Sequence, residues 1–179
     1  MKPFYGKIVL IVLVMITSKC LAGKPSLSIT TGCDMFLSSE KKFFNPAFGA
    51  GARIHMNFGK STMGIGLQGG CNYFINKTDS AGTFLTFPVN LLLNKQINIK
   101  SFRISPGLLI GGTGTYLADD KYNSKAMDFD MGVALDMSHA INEKSRIGLN
   151  TSIIMVAEAL RGGAFPSILS FKLMYEFSL

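Results

Sequence analysis

Met127-Asp128-Phe129-Asp130-Met131-Gly132-Val133-Ala134-Leu135-Asp136-Met137 decides how this chain is read. Successive side chains of a strand point to opposite sides. Met127, Phe129, Met131, Val133, Leu135 and Met137 therefore share one face, and Asp128, Asp130, Gly132, Ala134 and Asp136 share the other. In a water-soluble sheet the apolar row would be the core. Here the same alternation recurs in about eight segments, and the last of them, Leu169 to Leu179, closes the sequence. A closed sheet that turns its apolar rows to lipid and its polar rows to a narrow interior carries this signature. The expectation is an all-β fold: an eight-stranded antiparallel up-and-down transmembrane β-barrel.

A leader precedes it. Lys2 and Lys7 supply a positive n-region, and Ile8 to Ile16 is an apolar run of about nine residues. That length suits a signal-peptide h-region and falls well short of the ~20 residues of a spanning helix. Cys20-Leu21-Ala22 places small residues at the −3 and −1 positions of a cleavage site. Residues 1–22 thus read as a cleaved signal peptide and 23–179 as one barrel domain. Thr17-Ser18-Lys19 ahead of Cys20 lacks the Leu and small residues of a lipobox, which argues against a lipoprotein.

Composition narrows the options. The mean hydropathy is +0.30, yet no later segment has the ~18 consecutive apolar residues of a membrane helix. The formal charge falls from +7 to +4 once Lys2, Lys7 and Lys19 leave with the leader. The remaining charges are scattered without a block of like sign, so no nucleic-acid partner is expected. Cys33 and Cys71 fall on the first and third strands, with another between them, which makes a disulfide awkward. Both read as small lipid-facing residues.

The outward rows can be followed strand by strand. Leu27, Ile29, Thr31, Cys33 and Met35 form the first; Phe48, Ala50, Ala52, Ile54 and Met56 the second. Met63, Ile65, Leu67, Cys71 and Tyr73 follow, then Leu85, Phe87, Val89, Leu91 and Leu93. The fifth row starts Phe102, Ile104, Leu108, Ile110, and the seventh is Ile147, Leu149, Thr151, Ile153 and Met155. Connections alternate in length. Gly59 to Ser61, Asn94 to Asn98 and Asn142 to Ser145 are short; Ser38 to Pro46, Asn76 to Gly82, Ala118 to Lys125 and Ala157 to Pro166 are longer. Short periplasmic turns and longer outer loops follow in this order when both termini are periplasmic. The localisation expected is the outer membrane of a Gram-negative-type bacterium.

The inward rows collect Asp34, Arg53, His55, Arg103, Asp128, Asp130, Asp136 and Lys172. Eight strands leave an interior just wide enough for side chains to fill. Charges inside must pair, because an unpaired buried charge is costly. Arg53, Arg103 and Lys172 are expected to face the acidic group of the Met127–Met137 strand, in a filled polar interior rather than an open pore.

Phe84 to Asn94 (FLTFPVNLLLN), followed by Phe102 to Tyr116 (FRISPGLLIGGTGTY), resembles the small PorT-like outer-membrane β-barrel family. The Gly-rich segments Phe48 to Phe58 and Thr62 to Tyr73 fit the hairpin that this family places upstream. The resemblance implies the barrel fold and carries over no catalytic residue. Such barrels usually end on an aromatic residue read by the insertion machinery, whereas this chain ends Tyr175-Glu176-Phe177-Ser178-Leu179.

Ser138-His139 with Glu143 nearby invites comparison with lipid A deacylase barrels. Adjacent strand residues face opposite sides, however, and a nucleophile must lie within hydrogen-bond reach of its base. No His/Cys/Asp cluster has metal spacing, and Gly111-Gly112-Thr113-Gly114 lacks the helix that a phosphate loop opens. No enzyme and no cofactor is expected. In the first long loop, Lys41, Lys42, Phe43 and Phe44 form an aromatic-basic cluster, read either as part of an interfacial belt or as a contact for a partner. The expected partners are outer-membrane lipid and lipopolysaccharide, the barrel insertion machinery, and another envelope protein. The expected role is envelope structure or docking, with a small pore and a lipid A-modifying enzyme as the rivals.

Overall fold

A computed structural model of the chain describes residues 24–58, 61–77, 83–118, 123–157 and 167–179. The leader, most of the fourth long loop and Glu158 lie outside the described residues. The alternating rows become strands: β1 (Ser26–Phe36), β2 (Ala47–Asn57), β3 (Met63–Phe74), β4 (Thr83–Lys95), β5 (Ile97–Ile99), β6 (Phe102–Ala118), β7 (Asn123–Ala140), β8 (Ser145–Ala157) and β9 (Ser167–Ser178). Neighbours in sequence pair antiparallel, and β1 pairs with β9 from Ser26↔Ser178 to Phe36↔Ile168, which closes the sheet. Closure leaves no strand edge for lipid to meet.

β4 and β5 are successive parts of one wall strand, so nine segments make an eight-stranded barrel. Asn94↔Gly107 and Ile97↔Ile104 keep a single register against β6. The interruption falls opposite Pro106, which has no N–H to donate to the ladder. This corrects the turn expected at Asn94–Asn98. The strand runs on to Ile99, and the chain reverses at Lys100-Ser101, where Lys100 takes a φ of 55°. The third long loop is also shorter than expected. Tyr116↔Lys125 and Ala118↔Asn123 still belong to the β6–β7 ladder, with the Lys125 ammonium 5.5 Å from the Tyr116 ring centroid. Beyond the lipid, polar residues can continue a hairpin because water satisfies its edges.

The outward rows are those the alternation indicated. Phe48 is 68% exposed and Leu173 60%, and similar side chains ring the wall as the apolar band of a membrane barrel. Cys33 and Cys71 are free and outward. Tyr73 is exposed near the end of the barrel that carries the longer loops, here the outer end. Tyr175 and Phe177, edge to face at 4.4 Å, and Phe102 lie near the other, inner end, which carries Ser26 and Ser178.

Candidate functional site

Most of the buried polar and charged side chains among the described residues point into the lumen, so the interior is the candidate site. Its centre is a bar across the barrel diameter. Arg53 on β2 donates through Nη1 to Asp136 Oδ2 on β7, the strand opposite in the closed order. Gln68 Oε1 on β3 accepts from Arg53 Nη2 at 3.0 Å, and Asn150 Nδ2 on β8 donates to Asp136 Oδ1 at 2.6 Å. Both charges are buried, with side-chain exposures of 5% and 8%. Their mutual hydrogen bonds offset a desolvation cost of several kcal/mol per ion.

The other two cations pair elsewhere than expected. Lys172 Nζ lies 3.0 Å from Asp34 Oδ2, and it also donates to Asn72 Oδ1 at 3.1 Å. Ser170 donates to the second Asp34 oxygen. Arg103 Nη1 meets Glu176 Oε1 at 2.8 Å. Of the three cations, only Arg53 faces the acids of β7. Register brings Lys172 on β9 beside Asp34 on β1, and Arg103 on β6 reaches past its neighbour β7 to the inward Glu176 of β9. Asp130 accepts instead from the Thr113 hydroxyl. Asp128, also on the inward side of β7, is half-buried opposite Thr113. His55 is buried, with Nε2 2.9 Å from Asn94 Oδ1.

Gly49 shows how tightly this is fitted. A Cβ there would collide with the Asp34 carboxylate and the Asn72 side chain. Small voids remain among the described residues, two of them beside Arg53. One, of about 50 Å³, lies against Asp34, Asn72, Lys172 and Asn150. The other, of about 10 Å³, lies between His55, Arg103 and Glu176 nearer the inner end. Arg53 borders both and stands between them. At 10–15 Å³ per water, the larger holds roughly three to five.

The outer third of the lumen differs from the expected polar filling. Phe36, Phe74 and Phe84 sit on the inward sides of β1, β3 and β4, and Phe74 is fully buried. Phe36 and Phe74 are 4.6 Å apart between ring centroids. Phe44 enters from the first loop, 5.1 Å from Phe84 and 5.6 Å from Phe36. Ala47, Ile154, Val156 and Ile168 complete an apolar plug. Phe44 is therefore parted from Lys41, Lys42 and Phe43, which remain exposed on the outer rim. The loop is fixed by Asn45 N–H donating to the Ile75 carbonyl at 2.8 Å and Lys77 N–H to the Phe43 carbonyl at 2.9 Å. Lys77 Nζ also reaches the Lys41 carbonyl at 2.7 Å.

Ser138 and His139 lie within β7, which continues to Ala140. Ser138 faces the lumen and accepts from Arg146 Nε at 3.1 Å. His139 faces outward, its ring edge-on to Phe102 at 4.8 Å. The wall of the barrel stands between them.

No family model and no curated protein matches the chain in sequence. Solved structures do match in shape. Neisserial surface protein A superposes with a TM-score of 0.66 at 10% identity, over 87% of this chain and 97% of that one. Ail, the attachment invasion locus protein of Yersinia pestis, gives 0.62 at 10% identity, over 88% and 99%. The outer membrane enzyme PagL gives 0.55 at 12% identity, over 86% and 99%. Likeness at such identities is a likeness of fold: the chain has the closed eight-stranded barrel seen in bacterial outer-membrane proteins.

Proposed function

We propose that the chain is a non-enzymatic protein of the bacterial outer membrane, a filled barrel that holds its outer loops in place for envelope structure or for docking another envelope component. The supporting observation is the occupancy of the lumen: the Arg53–Asp136 bar spans its centre and the Phe36, Phe44, Phe74, Phe84 plug closes its outer third. Membrane residence is supported by the apolar band, which in water would be a liability far larger than the few hundred Å² that monomers expose. The PorT-like kinship rests on the Phe84–Asn94 and Phe102–Tyr116 segments. Neighbours of the same fold include an attachment protein and an enzyme by their names, so the fold alone assigns no role.

Three measurements on one preparation test this reading. Unheated protein from an outer-membrane fraction should migrate differently from boiled protein, as a closed barrel resists detergent. Planar bilayers carrying it should show no conductance steps, and lipid A from cells expressing it should be unchanged. Conductance steps in the unaltered protein would replace the filled post with a pore. Deacylated lipid A that reverts in His139→Ala would replace it with an enzyme.

A further inference from the structure

Lys95 stands in a lipid-facing row. It lies between Leu93, 38% exposed, and Ile97, 43% exposed, with the exposed Met63 as its cross-strand partner on β3. Among the described residues no carboxylate pairs with it. A lysine in such a row lays its stem on apolar surface and extends its ammonium toward the headgroups. Lys24, Lys100 and Lys144 are exposed at the same, inner end, where Glu143 is the one exposed acid among the described residues. Arg103 is already neutralised by Glu176. Lys100 adds a second, independent observation. It occupies a left-handed backbone position at φ 55°, where glycine would be unstrained, and its side chain is exposed at the inner rim. In the sequence of the four longer connections the basic residues are interleaved with Glu40, Asp79, Asp119, Asp120 and Glu158.

We propose that this inner rim binds the phosphate of an anionic phospholipid in the inner leaflet, with Lys95 reaching the headgroup from the wall and Lys100 and Lys144 completing the positive rim. The proposal rests on the membrane reading above. A lipid is favoured over a soluble polyanion because Lys95 lies on the lipid side of the wall, where only a molecule of the bilayer reaches it.

The test uses the refolded full chain in bilayers of phosphatidylcholine, with spin-labelled phosphatidylglycerol or phosphatidylcholine as the probe. The fraction of motionally restricted label gives their relative association. Each basic group near a headgroup is worth about fivefold in anionic-lipid association at low salt, so phosphatidylglycerol should be favoured several-fold, less so at high salt. The Lys95→Gln, Lys100→Gln, Lys144→Gln variant should bring the ratio to about one while keeping the heat-dependent gel shift. The outer-rim variant Lys41→Gln, Lys42→Gln, Lys77→Gln should keep the preference. Equal association of the two lipids with the unaltered protein would overturn the proposal, and so would a preference lost only from the outer-rim variant. A missing gel shift in the unaltered protein would instead sink the membrane-barrel reading on which it stands.

Discussion

The two ends of the lumen are filled by opposite means. Below the plug the lumen is held chiefly by directional pairs, Arg53 with Asp136, Arg103 with Glu176 and Lys172 with Asp34, with Leu92, Leu109 and Met174 also buried there. The outer third is held by aromatic contact among Phe36, Phe44, Phe74 and Phe84. The difference follows from what each end must tolerate. Charges fix the register of strands that are far apart in sequence, because only one alignment satisfies them all. Rings accept a loop such as Ser38–Pro46, which has no ladder to define it, because apolar contact is not directional. The inner end is therefore specific and intolerant, and the outer end adaptable.

The largest effect should come from breaking the diameter bar. Asp136→Ala leaves Arg53 buried and unpaired and should cost about 3–5 kcal/mol, read as a lower urea midpoint for loss of the heat-shifted band. The double change Arg53→Met, Asp136→Leu should recover most of that loss or all of it. Recovery would show that pairing, rather than charge, is what the inner end requires. Failure to recover would mean that the bar also sets the register.

At the other end, Phe74→Ala should cost about 3 kcal/mol in the same titration, by opening a cavity at the centre of the plug. Phe44→Ala should cost less, about 1–2 kcal/mol, because its ring is half-buried and its loop keeps its backbone bonds. If the Phe44 change proved the more damaging, the loop would be a structural member rather than a cover. The smallest effect sharpens the comparison from outside the lumen. Lys100→Gly should stabilise the barrel by about 0.5–1 kcal/mol through relief of the left-handed strain, a gain measurable as a higher urea midpoint.

Much of this was legible in the residues and some was not. The period-two rows, the closing strand and the inward position of Asp34, Arg53, Arg103, Asp128, Asp130, Asp136 and Lys172 follow from alternation alone, since a one-residue slip would turn each row inside out. Phe36, Phe74 and Phe84 could have been found by the same parity: each directly adjoins an outward residue of its row. An apolar residue in a membrane barrel reads as facing lipid, which masks their inward parity. The pairing of charges was not legible, because Arg53 and Asp136 are 83 residues apart and meet only when the sheet has closed. Phe44 lies in a loop without a period, so nothing in its neighbours told which way it would turn. The turn at Lys100-Ser101 was displaced by the polar run Asn94-Lys95-Gln96, whose Asn94 and Gln96 face the lumen and whose Lys95 does not interrupt the strand.

β9 carries one partner in two of the three ion pairs among the described residues, Lys172 and Glu176. A chain that stops short of β9 has an open seam between β1 and β8 and leaves Asp34 and Arg103 without their counter-charges. Such a chain has lost more than one hairpin's worth of hydrogen bonds: its half-made lumen is electrostatically unfit for the bilayer. β9 paired with β1 and β8 completes the cylinder and supplies both counter-charges. Its loss removes charge neutralisation of the lumen as well as two ladders of hydrogen bonds.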